Sequence, residues 1–142
     1  MDAWVGQTEV VLAGRIVLAA ILSGVVGYER EQADKPAGMR THILVGMGSA
    51  LFTVLSIFGF PGLGETSRVA AQIVTGVGFL GAGTIFRGEG WIQGLTTAAT
   101  IWAVAALGMA VGVGMYALAA VTTVVMLLVL RLPVKRASGR ES

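Results

Sequence analysis

Of 142 residues, 55% are hydrophobic and 13% charged, and the mean hydropathy is +0.80; a soluble domain carries roughly 25% charged residues, so so apolar a core could not be covered by its own polar surface. The formal net charge is +2, and the absence of cysteine excludes disulfides, thiolate metal sites and thiol catalysis while saying nothing of compartment. Glycine is abundant, 21 residues without a collagen period or a polar low-complexity run, which points to close helix packing in lipid.

A bilayer span takes about 20 apolar residues. That length predicts an all-α, polytopic transmembrane bundle of five helices, over 10–28, 42–60, 69–86, 95–112 and 115–130, as one domain over 1–132 with a basic, disordered tail over 133–142. The first stretch is preceded by Asp2 and Glu9 rather than a basic cluster and is followed by no small-residue cleavage site, so it reads as a retained helix and not a signal peptide. Arg15 inside it is expected to snorkel outward.

The loop from Glu29 to Arg40 brings the ends of the first two helices to one membrane face. Glu29 and Arg40 are placed to pair there, or to anchor at the interface, with Arg30 beside them. Thr41 is placed to cap the second helix. His42 is the only histidine, which excludes a multi-histidine metal site and leaves a hydrogen-bonding role or a proton relay.

At the start of the third helix stand Glu65, Arg68 and Gln72. Glu65 and Arg68 could pair locally, and Glu65 is the carboxylate that would offer Mg2+ a hard oxygen, with waters or a second subunit completing the shell. Gly76, Gly78 and Gly81 spell GxGxxG. A dinucleotide turn is rejected, because the glycines lie inside a membrane-length apolar run with no acidic residue about 20 positions on. Together with Gly83 they read either as packing sites, with Gln72 hydrogen-bonding across helices, or as a hinge exposing backbone carbonyls.

From Leu95 to Leu130 there is no charge. One helix of that length would run roughly 54 Å at about 1.5 Å per residue, against a hydrocarbon core of about 30 Å, so the chain must break, and Gly112, Val113, Gly114 is the predicted turn. Thr96, Thr97 and Thr100 can satisfy backbone carbonyls or a neighbouring helix. Gly108 with Gly112, and Ser23 with Gly27, read as packing sites. Trp4 and Trp91 fall near interfaces, whereas Trp102 packs inside or faces lipid.

Five crossings place Arg30, Lys35, Arg40 and Arg87 on one side with Arg131, Lys135, Arg136 and Arg140, leaving only Arg15 and Arg68 of the ten basic residues. The positive-inside rule then predicts N-out and C-in, with the tail near anionic headgroups.

The segments GYERE (27–31), PAGMRTHILVGMGSALF (36–52), SRVAAQIVTGVGFLGAGTI (67–85) and GLTTAATIWAVAALG (94–108) resemble the membrane domain of the MgtC/SapB family. The resemblance implies a multi-pass protein of the bacterial inner membrane. It implies magnesium-limitation adaptation and, in some members, survival inside host cells through other membrane machines such as an ATPase or ATP synthase. It implies no enzyme activity and no cofactor beyond Mg2+ itself. The family's polar signature falls on Glu29, Arg30, Arg40, Thr41, Arg68, Gln72, Thr96 and Thr97, and its glycines on Gly38, Gly76, Gly78, Gly81 and Gly83. Glu65 stands where the family usually has Asp, and Gln93 where a basic residue is common. The sequence is read as the membrane domain without the soluble C-terminal domain that virulence-linked members often add, which argues against regulation through a cytosolic ligand.

Two functions are compatible with these residues: an accessory or regulatory protein that binds other membrane proteins, or a transporter or channel with a path along Glu65, Arg68, Gln72 and the glycine helix. Charges at helix ends rather than mid-membrane favour the first. Catalysis is not expected without a mid-helix carboxylate pair. The expected partners are the bilayer, further copies of the chain and another membrane protein, not nucleic acid.

Overall fold

A computed structural model describes residues 2–59 and 65–133, with side chains from Thr8 onward except at Thr66. Within them the chain forms α1 (Asp2–Gln32), α2 (Met39–Val54), α3 (Thr66–Ala82), a hairpin of β1 (Phe86–Gly88) and β2 (Trp91–Gln93), α4 (Leu95–Val113) and α5 (Tyr116–Leu130). A π-helical turn, Leu55–Gly59, extends α2. Three segments are long and apolar enough to cross a bilayer: Thr8–Gln32, Met39–Gly59 and Leu95–Val113. Helices α3 and α5, of 17 and 15 residues, are shorter. The expected tail beyond Pro133 and the loop around Pro61 lie outside the described residues, as does the side chain of Trp4.

Helix α4 occupies the centre and packs against α1, α2, α3 and α5. It is uncharged and mainly apolar, as a helix packed among others in a membrane is, and it buries Ile101, Val104, Leu107 and Val111. Two glycines set how closely α2 approaches. A side chain added at Gly108 would run into the carbonyl of Gly46, and one at Gly112 would lie 2.9 Å from the carbonyl oxygen of Ala50. The same closeness joins α1 to α2, where a Cβ on Gly27 would sit 2.7 Å from the Cα of Met39. Small residues thus let three backbones meet and bury dispersion contacts that bulkier side chains would prevent.

The predicted break in the apolar run is present. Gly114, at φ +99, ends α4 by donating to the carbonyls of Ala110 and Val111 at 3.1 and 3.0 Å, and α5 follows. A left-handed residue is easiest for glycine, which explains why the turn settles there.

The third helix departs from expectation. It ends at Ala82 rather than 86, because Phe86 pairs with Gln93 in the hairpin, turned by Gly90 at φ +75. It is also continuous, so Gly76 and Gly78 introduce no break. Trp91 in the hairpin and Trp102 on α4 are each 53% exposed, so Trp102 faces outward rather than into the bundle.

Candidate functional site

At the corner between α1 and α2 the charged residues close on one another. Arg30 is buried and its guanidinium donates to both carboxylate oxygens of Glu29, at 2.5 and 2.8 Å. The pairing is therefore between chain neighbours, and the expected Glu29 to Arg40 pair does not form: Arg40 is exposed. The next carboxylate, Glu31, accepts from the backbone N–H of Met39 at 2.9 Å and so satisfies the start of α2. Gly38 is the N-cap residue, which displaces Thr41 from that role and leaves it exposed. Without a side chain, Gly38 can lie against the Glu31 carboxylate; an added Cβ would sit 2.7 Å from its oxygen.

One turn further, His42 is fully buried between α2 and α4. Its Nδ1 lies 2.8 Å from the Gly38 carbonyl, which can only accept, so Nδ1 donates. Its Nε2 lies 3.1 Å from the Thr100 hydroxyl, which in turn lies 2.8 Å from the Thr97 carbonyl. A neutral ring is satisfied when the Thr100 hydroxyl donates to Nε2; when that hydroxyl donates to Thr97 instead, only an imidazolium satisfies both contacts. Thr97 is buried and Thr96 exposed, so the fourth-helix threonines divide between packing and surface.

Arg15 reaches across to the α4–α5 turn, where Nη1 donates to the Gly112 carbonyl at 2.8 Å and Nε to the Tyr116 hydroxyl at 3.0 Å, with the guanidinium 6.0 Å from the Tyr116 ring centroid. A cation at a helix C-terminus also meets the negative end of the backbone dipole. Arg15→Met is expected to lower the thermal midpoint in detergent by an amount equivalent to about 1–3 kcal/mol, the cost of an unsatisfied carbonyl. An unchanged midpoint would show that the contact holds nothing.

The third group stands apart. Glu65, the N-cap residue of α3, and Arg68, Gln72, Gly76 and Gly78 on the helix are all exposed. Glu65 and Arg68 share a backbone bond, N–H of Arg68 to the Glu65 carbonyl at 3.0 Å, but no side-chain ion pair joins them among the described residues. Among the described residues Gln72 makes no hydrogen bond across helices; with Gly76 it lines an apolar groove of about 430 Å3 between α2 and α3. Gly81 alone of these glycines packs tightly, an added Cβ lying 3.3 Å from the Ala98 carbonyl, while Gly83 caps the helix. Among the described residues no three of His, Cys, Asp and Glu gather as a metal-binding group.

Sequence reasoning missed Glu31 and Tyr116. Glu31 precedes the Met39 amide it caps by eight residues, a loop contact that no helical spacing marks.

A membrane-length apolar helix set, a glycine-closed centre and charged side chains folded onto polar partners define a helical membrane protein. Residues 16–137 match the MgtC family model, and the chain belongs to the MgtC family. YhiD of Escherichia coli K12, whose name describes it as a proposed magnesium transporter, is 53% identical over 124 residues, covering 82% of this chain and 57% of that protein. MgtC of Brucella abortus strain 2308 is 48% identical over 119 residues, covering 83% of this chain and 48% of its own length. SrpB of Synechococcus elongatus is 41% identical over 140 residues, covering 89% of this chain and 74% of its own. The chain thus spans about half the length of the first two of these relatives. No solved structure matches it.

Proposed function

We propose that the chain is a multi-pass protein of the bacterial inner membrane, N-out and C-in, that acts without catalysis as an accessory or regulatory protein in adaptation to magnesium limitation, through contacts with other membrane proteins. The observation that carries this reading is the closed centre. Gly46 and Gly108 bring the α2 and α4 backbones into contact, and the two arginines of α1, Arg15 and Arg30, are spent on Gly112, Tyr116 and Glu29 rather than lining a path. A coupling ion needs polar groups facing an accessible cavity.

The second reading, transport of Mg2+, is favoured by the name of the Escherichia coli relative and by Gln72 at the groove beside α3. Magnesium flux into tight proteoliposomes separates the two. The accessory reading expects flux equal to that of empty vesicles; protein-dependent flux, reduced by Glu65→Ala, would overturn it in favour of transport.

A further inference from the structure

The exposed face of α3 carries charge and amide groups as well as apolar surface. At about 100° per residue, Glu65, Arg68, Gln72 and Gly76 fall within one narrow stripe running from the helix start to its middle. All four are exposed. A Cβ on Gly76 would meet nothing within 4 Å, as at Gly14, Gly48 and Gly78, whereas Gly27, Gly46 and Gly108 sit where a backbone or side chain presses on them. Among the described residues neither charge has a side-chain ion pair, and the Gln72 amide makes no hydrogen bond. An unpaired amide facing hydrocarbon is costly, and one that can both donate and accept is suited to an identical amide.

We propose that this stripe is the contact between two copies of the chain, related by a two-fold axis along the membrane normal. Copies inserted the same way round present their α3 helices in parallel, so each residue meets its counterpart at equal depth, as a self-complementary interface requires. Glu65 of each copy then faces Arg68 of the other, about one helical turn away, and both charges are paired. Gln72 meets its equivalent as a mutual amide hydrogen bond, and Gly76 lets the backbones approach. Phe79, 82% exposed, lies within the same stripe three residues beyond Gly76, and Gln72 and Gly76 also border the α2–α3 groove.

The charge complementarity argues for a second copy rather than lipid alone. Acyl chains could fill the groove, but they offer nothing to Glu65, Arg68 or Gln72 at its rim.

Because the chain has no cysteine, single-cysteine variants report the interface directly in the native membrane. Gln72→Cys and Gly76→Cys are expected to give disulfide-linked dimers on mild oxidation, at least fivefold above Val17→Cys on α1 and Leu128→Cys on α5, which are also exposed. Adding Glu65→Arg to Gln72→Cys is expected to cut the dimer yield several-fold, and adding Arg68→Glu as well to restore it, which a mere anchoring role would not do. Equal yields on all faces, no dimer at any, or cross-linking of Gln72→Cys to a different protein would each overturn the proposal. The readout is independent of magnesium flux, so it stands whichever functional reading fails.

Discussion

Gly108→Val is expected to lower the melting temperature of the detergent-solubilised protein more than any equal-sized change on α3. The position leaves no alternative packing: the first added carbon already overlaps the Gly46 carbonyl, with the carbonyl carbon at 2.9 Å and Cα at 3.1 Å. These neighbours are backbone, so no rotamer change relieves them, and α2 must move away from α4. That motion also loosens the Gly112 contact with Ala50 and the burial of Leu107 and Val111, which share the same core cluster. Overpacking a core costs about 1–3 kcal/mol where side chains can yield; here the upper end is expected, because the backbones themselves separate. Gly78→Val is the matched control. Nothing lies within 4 Å of an added Cβ there, and valine is a slightly better helix former than glycine, so its midpoint should stay or rise by a few tenths of a kcal/mol. Equal melting temperatures for the two variants would mean that the α2–α4 contact does not set stability.

That contrast also shows where reading the sequence succeeded and where it could not. Apolar length and the charge-free run from Leu95 to Leu130 were enough to place five helices and the turn near Gly114, because bilayer thickness and helix rise set those lengths. Four ordered motifs were enough for the family. Which glycines are crowded was not legible: GxGxxG at Gly76 to Gly81 looks the most demanding pattern, yet two of its three glycines face open space, while Gly46, part of no pattern, carries the tightest approach. Spacing reports which residues share a face, not which neighbour that face meets. The hairpin from Phe86 to Gln93 was missed for a related reason, since three-residue strands are too short to show a period. Arg15 was read from its depth alone, and its partners Gly112 and Tyr116 lie 97 and 101 residues away, beyond any local rule. The Glu29 to Arg40 pairing failed because Arg30, adjacent and buried, reaches the same carboxylate first.

Glu29→Leu is the second substitution expected to have a large effect, and it probes that corner through an asymmetry in burial. The Arg30 side chain is 4% exposed and that of Glu29 is 23% exposed, yet they share one ion pair. Removing Glu29 leaves a guanidinium inside the bundle with no counter-charge, a situation that costs about 3–5 kcal/mol. Removing Arg30 instead leaves a carboxylate that still reaches solvent, so Arg30→Leu should cost less. When both are replaced by leucine no charge remains to be buried, and the double variant should recover most of the loss, because a buried pair contributes little net stability over an apolar pair of similar size. Thermal midpoints of the three variants in one detergent give the order directly: Glu29→Leu lowest, Arg30→Leu next, the double variant nearest the parent. Should Glu29→Leu prove no worse than Arg30→Leu, the desolvated guanidinium is not what the pair protects against. Should the double variant be the worst of the three, the pair instead supplies a net attraction that apolar packing cannot replace.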